Sequence, residues 1–230
     1  MSGRSPRWFT GIQCPYEANF ADNTWEQIIA VCQKKIVPPT WKVGDQKAMT
    51  IGGTDYLIDI IGINHDTYAA GGKAPLTFQL HDCYSEQKNM NSSNTNSGGW
   101  KNSAMRTTHL PAILALMPTE VQNGIREVSK KASVGGASST IETVSDKLFL
   151  LSEVEIFGST TYSAAGEGTQ YDYYKAGNSK VKKRNSSAAI WWERSPNASS
   201  SARFCLVYSN GNASDYSAGL AGGVAFGFCF

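Results

Sequence analysis

Ile190-Trp191-Trp192-Glu193-Arg194-Ser195-Pro196 and Gly222-Gly223-Val224-Ala225-Phe226-Gly227-Phe228-Cys229-Phe230 bracket the stretch whose reading decides the fold. Both read as buried strand, because bulky apolar residues are bounded by Pro and Gly. Between them Asn, Ala, Ser, Arg, Tyr, Asp, Gly and Leu alternate in short order. After Arg194 the only charged residues are Arg203 and Asp215. A stiff frame around small residues and tyrosines has the composition of a binding face rather than of a catalytic centre. Tyr supplies rigid contact area at low entropic cost, and Ser, Gly and Asn supply adaptable hydrogen bonds.

The 230 residues suffice for a full core, and one or two domains fit that length. A net charge of +2 argues for neither a nucleic-acid partner nor a membrane surface. No apolar run approaches the roughly 20 residues that span a bilayer. The start, Met1-Ser2-Gly3-Arg4-Ser5-Pro6-Arg7, has no apolar h-region behind it, so no secretory signal is read there. The five cysteines, Cys14, Cys32, Cys83, Cys205 and Cys229, are widely spaced without a C-x-x-C, which disfavours zinc. They read as free buried thiols, with a Cys205–Cys229 disulfide left open as the alternative.

Outward from the decisive stretch, Asn23-Thr24 caps a helix in which Trp25, Ile28, Ile29 and Cys32 share one face, and Pro38-Pro39 ends it. Lys47–Ile51, a Gly52-Gly53 turn and Tyr56–Ile63 read as a hairpin, and Leu76–Leu80 as a further strand. Asn89–Gly99 reads as a polar surface loop. A helical segment runs from Trp100 to about Glu127, broken at Pro111 and restarting at Pro118. Lys147–Ser152 and Val154–Phe157 read as strands. Ser159–Ser187 reads as a polar insertion whose tyrosines, Tyr162, Tyr171, Tyr173 and Tyr174, either extend a binding surface or cover the core.

The candidate chemistry is thin. His65-Asp66, His81-Asp82 and His109 would need to converge with a nucleophile or a third ligand to form a site, and their spacing reads instead as hydrogen bonding in turns or core. Lys180–Arg184 lacks interleaved aromatics and reads as a solvated loop. Glu193-Arg194 reads as a structural ion pair or as a hydrogen bond to a loop backbone. The triplets beginning at Asn91, Asn185, Asn197 and Asn212 have the glycan-acceptor pattern, but Asn/Ser-rich segments generate it by chance.

At this point a family resemblance enters. Trp191–Pro196, Phe204-Cys205, Val207, Gly211, Ala218 and Gly223–Cys229, with the upstream Gly98–Arg106 and Lys147–Glu155, resemble the C-type-lectin-fold variable proteins of diversity-generating retroelements. The resemblance covers roughly residue 40 to 230. It implies an α+β, C-type-lectin-like (formylglycine-generating-enzyme-like) fold of short antiparallel strands, two or more helices and long loops. Residues 1–39 would then form an N-terminal segment with one helix, and 40–230 the lectin-like domain with a variable region at about 191–230. It implies adenine-directed variation, copied from a template repeat, of Ser200, Ala202, Arg203, Leu206, Tyr208, Asn210, Ser214, Asp215, Tyr216, Ser217, Gly219, Leu220, Ala221 and Gly222. Alternation with Cys205 and Val207 would point Leu206 and Tyr208 away from the core.

The expected function is therefore non-enzymatic: binding of a protein or glycan receptor on a host cell, from a phage tail or a bacterial cell surface, with no cofactor. The tail offers no clustered calcium ligands, and so no calcium is expected. Two other classes stay open. One is an enzyme of the formylglycine-generating type or another hydrolase, which would need Cys205 or a histidine in its site. The other is a fixed structural virion or cell-surface module.

Overall fold

A computed structural model describes residues 16–230. Met1–Arg7 and Cys14 lie outside the described residues. Helix α1, Trp25–Lys34, starts at the expected capping box, with the Thr24 hydroxyl accepting from the Gln27 N–H and the Gln27 side chain from the Thr24 N–H. It ends at Lys35, which adopts the left-handed conformation (φ 56°), before Pro38-Pro39 is reached. Its buried face reaches the core, where Trp25 packs edge-on against Phe78 and Phe230.

Strands β1 (Gln46–Ile51) and β2 (Thr54–Ile63) form the expected hairpin. Gly52 and Gly53 both sit at positive φ, as a tight two-residue turn requires. Strand β3 (Leu76–Leu80) pairs with β2. Beyond it, a π-helical stretch Met105–His109 runs directly into α2, Leu110–Leu114. The expected break at Pro111 is absent, because Pro111 falls in the first turn of α2, where a missing N–H breaks no helical bond. Helix α3 (Thr119–Gly124) does follow Pro118. Next comes a hairpin for which sequence reading offered no strand, β4 (Val128–Ser133) with β5 (Ile141–Asp146).

Only Leu148–Phe149 (β6) of the expected strand Lys147–Ser152 is extended. Val154–Phe157 is not a strand but part of α4, Glu153–Phe157. Ser152 and Glu155 close a capping box at its start and Gly158 ends it in the left-handed region, so the end signals outweigh the apolar alternation. The tyrosine-bearing insertion covers the core: Tyr171, Tyr173 and Tyr174, around α5 (Asp172–Lys175), are buried. Lys180–Arg184 is not a solvated loop. Lys182–Arg184 forms β7, paired with β8 (Ser187–Ala189), and buried Lys182 donates to the carbonyls of Leu80 and His81.

The C-terminal stretch supplies β9 (Trp191–Pro196), β10 (Arg203–Val207), β11 (Ala213–Ser217) and β12 (Gly227–Cys229). Two sheets organise the molecule. One has the order β1-β2-β3-β12-β6, the other β11-β10-β9, and every pairing within them is antiparallel. The fold is thus a mixed α+β arrangement of small antiparallel sheets with few, short helices. Among the described residues, no helix is long and apolar enough to cross a membrane.

Candidate functional site

Strand β9 is buried along its whole length. The Trp191 indole donates to the Lys180 carbonyl and the Trp192 indole to that of Lys88, each at 2.9 Å. Arg194 spends its donors on the structure itself. It pairs bidentately with Glu155 (2.5 and 2.8 Å) and donates to the carbonyls of Leu150, Lys131 and Glu167. That bears out a structural role for Arg194, with Glu155 as its partner in place of Glu193. Glu193 is fully buried, and neither carboxyl oxygen has a hydrogen-bond partner among the described residues. Burial, reinforced by the neighbouring Glu153 and Glu167 carboxylates, pushes its pKa well above the carboxylate range. Glu167 is likewise pushed up to about 7, chiefly by burial.

On this frame the predicted variable residues fall into two sets. Tyr208, Tyr216 and Leu220 are exposed at 44%, 41% and 45%, three large apolar side chains facing solvent. Arg203, Asn210 and Ala221 are exposed as well, while Ser200, Ala202, Ser214, Asp215, Ser217 and Gly219 are half-buried. The β10–β11 register sets Arg203 opposite Ser217, Phe204 opposite Tyr216 and Cys205 opposite Asp215. Arg203 reaches Asp215 at 3.3 Å, and Asp215 also accepts from the Asn197 amide at 2.6 Å.

Two positions contradict the expectation. Leu206 is fully buried, opposite Trp192. Strand β10 is the middle strand of its sheet and is covered on both faces over Phe204–Val207, so alternation there does not separate core from solvent. Gly222 is also buried, and a Cβ on it would stand 2.6 Å from the Trp192 indole nitrogen, which the core and its hydrogen bond hold in place. At Gly219 the added Cβ would stand 2.8 Å from the Asn94 side-chain oxygen, with the Ser93 and Asn94 backbone at ordinary contact distance, so a side chain there displaces the Asn94 oxygen from the Gly219 N–H.

The loop 89–99 was read as pure surface and proves to be part of the site. Met90 and Asn96 are fully buried. The Asn96 amide donates to the carbonyls of Ser200 and Arg203, both at 2.7 Å, and its oxygen accepts from the Gly136 N–H. Asn94 accepts from the Gly219 N–H. These asparagines clamp the stretch 200–219 from outside it. The sequence signal for them was the Asn richness of the loop, which marks turns and anchors alike.

The histidines do not assemble a centre. His65 stacks on Tyr171 at 4.1 Å. His81 pairs through Nδ1 with buried Asp59 (2.9 Å), not with Asp82, whose carboxylate accepts from the Lys183 N–H. That bond to Asp59 raises the His81 pKa. His109 meets Asn89. Ser85, beside His81 in a shallow cleft, is hydrogen-bonded to Tyr56. Cys32, Cys83, Cys205 and Cys229 are free and buried, and burial raises every one of these thiols, away from a reactive thiolate. Among the described residues, no three His, Cys, Asp or Glu side chains come together around a metal position.

A mixed α+β domain with a rigid, tryptophan-rich frame and a half-apolar face is therefore what the geometry defines. Residues 74–224 match the family described as a domain of unknown function (DUF6273), and the chain belongs to that family. No curated protein matches the chain, and no solved structure does.

Proposed function

We propose that the protein is a non-enzymatic binding protein with a C-type-lectin-like fold, displaying a diversified face on a fixed frame. The observation that carries this reading is the division of labour along 191–230. Tyr208, Tyr216, Leu220 and Arg203 face solvent, and the motif residues between and around them are buried, apart from half-buried Gly211 in the turn. Changes at the first group are cheap for the fold, while changes at the second are not. Half-exposed tyrosines beside one ion pair suit a protein or glycan receptor, with a few anchors carrying most of the energy. A phage tail or a bacterial cell surface is the setting we propose.

The experiment is to sequence the DNA around the gene. A near-copy of the codons for Trp191–Phe230, differing only at adenines and lying beside a reverse transcriptase gene, supports the reading; its absence refutes diversification. On the protein, joint replacement of Arg203, Tyr208, Tyr216 and Leu220 by Ala is expected to abolish adsorption to host cells while the melting temperature stays nearly unchanged. Loss of folding in that variant would reassign these residues to the core.

A further inference from the structure

Beneath β4, away from the proposed face, three buried ionisable side chains meet. Lys130 is 2% exposed, Asp66 5% and Glu155 3%. The Lys130 Nζ stands 2.8 Å from Asp66 Oδ1, 2.8 Å from Glu155 Oε1 and 2.9 Å from the Tyr171 hydroxyl. On the other oxygen of Asp66, the hydroxyls of Thr77 and Tyr171 donate at 2.7 and 2.8 Å. The Phe149 ring lies 4.2 Å from Nζ and the Tyr171 ring 5.3 Å. An amine is thus held against a carboxyl in a dry aromatic enclosure, with two donors on one carboxyl oxygen and a second carboxylate on the amine.

We propose that Lys130 and Asp66 condense into an intramolecular isopeptide bond. The resting site is the ion pair: burial raises the Asp66 pKa, but Lys130 and the Thr77 and Tyr171 hydroxyls outweigh it and hold the carboxyl down at about 2. Reaction starts from the minor neutral pair, in which a proton of the ammonium passes to Asp66 Oδ1. The free Nζ then attacks Asp66 Cγ, and the charge developing on Oδ2 falls on the Thr77 and Tyr171 hydroxyls, an oxyanion site already in place. A second proton leaves nitrogen for Glu155 Oε1 and is delivered to Oδ1, which departs as water. Burial raises the Glu155 pKa, but Arg194 and Lys130 outweigh it and lower it, so Glu155 rests as the carboxylate that takes this proton and, as a strong acid once protonated, hands it on. One hydrogen stays on the amide nitrogen, Glu155 is regenerated, and charge balances throughout. Fixed proximity takes the place of an activating group. The bond ties β4 to the segment just beyond β2.

The test is the intact mass of the purified full chain, measured under denaturing conditions, followed by digestion. The expected result is a mass one water below that of the linear polypeptide, with a branched peptide joining the segments that hold Asp66 and Lys130. A full linear mass, with Lys130 recovered as a free amine, overturns the proposal and needs no variant to be folded. Asp66→Asn is expected to link with loss of ammonia, so that its mass converges on that of the wild type. Glu155→Gln is expected to slow linkage in a time course.

Discussion

Replacing Glu193 by Gln is expected to stabilise the protein, and to do so more at neutral than at acidic pH. Glu193 is wholly buried with both oxygens unpartnered, and burial followed by Glu153 and Glu167 raises its pKa well above the usual range. In the unfolded chain it titrates near 4.3 and is ionised at neutral pH. The folded protein therefore binds a proton that the unfolded chain has released, and stability falls as pH rises above that unfolded value. Each pH unit between the unfolded and the folded pKa costs about 1.4 kcal/mol. Gln keeps the shape and stays uncharged in both states, so it removes that cost. For a chain of this size 1 kcal/mol moves the melting temperature by about 2–4 °C, so the gain grows by about 3–6 °C for each pH unit above the unfolded value and shrinks towards zero near pH 4.5. Calorimetry across that range measures it. A Gln variant that melts no higher than wild type at neutral pH would refute the reasoning, as would a gain that does not change with pH.

Leu206→Ala is expected to lose about 2–5 kcal/mol, since it empties a site opposite Trp192, whereas Tyr208→Ala, two residues on and exposed, should cost under about 1 kcal/mol; denaturant titration of the two separates them. Gly222→Ala should cost about 1–3 kcal/mol by overpacking against the Trp192 indole, and a change in tryptophan emission accompanying the lowered midpoint checks the cause. His81→Asn should destabilise the protein more in mild acid than in mild base. The folded pKa of His81 is raised by Asp59, so its stabilisation is full below the unfolded pKa and fades as pH rises through the folded one. Equal losses at both pH values would contradict the role given to that pair.

What could be read in the sequence was whatever local chemistry decides. The Thr24 cap, the Gly52-Gly53 turn and the apolar–polar alternation of β3 each specify their element without help from afar. Leu206 failed because strand alternation encodes a buried face only where the other face meets solvent, and β10 is covered on both. At Val154–Phe157 the error was one of precedence, since Ser152 and Glu155 make a capping box that a tally of apolar residues overlooks. Lys182 looked like surface by the company it keeps, and for Tyr171 surface and core were both open; the burial of the two depends on the Leu80 carbonyl and on Asp66, distant in the chain. The same distance concealed Asn96, whose three carbonyl partners all lie more than a hundred residues downstream.

Strand β12 lies between β3 and β6, yet it follows both in the chain. An interior place in the five-stranded sheet therefore stays vacant until β12 has been made and released to fold. The stretch 198–222 precedes β12 in the chain and must fold back for β12 to reach its slot. Any version of it that cannot make the return leaves β3 and β6 unjoined. Closure of the sheet is thus coupled to the path of an exposed stretch that is no part of it, and a substitution in 198–222 can be felt as a gap between β3 and β6.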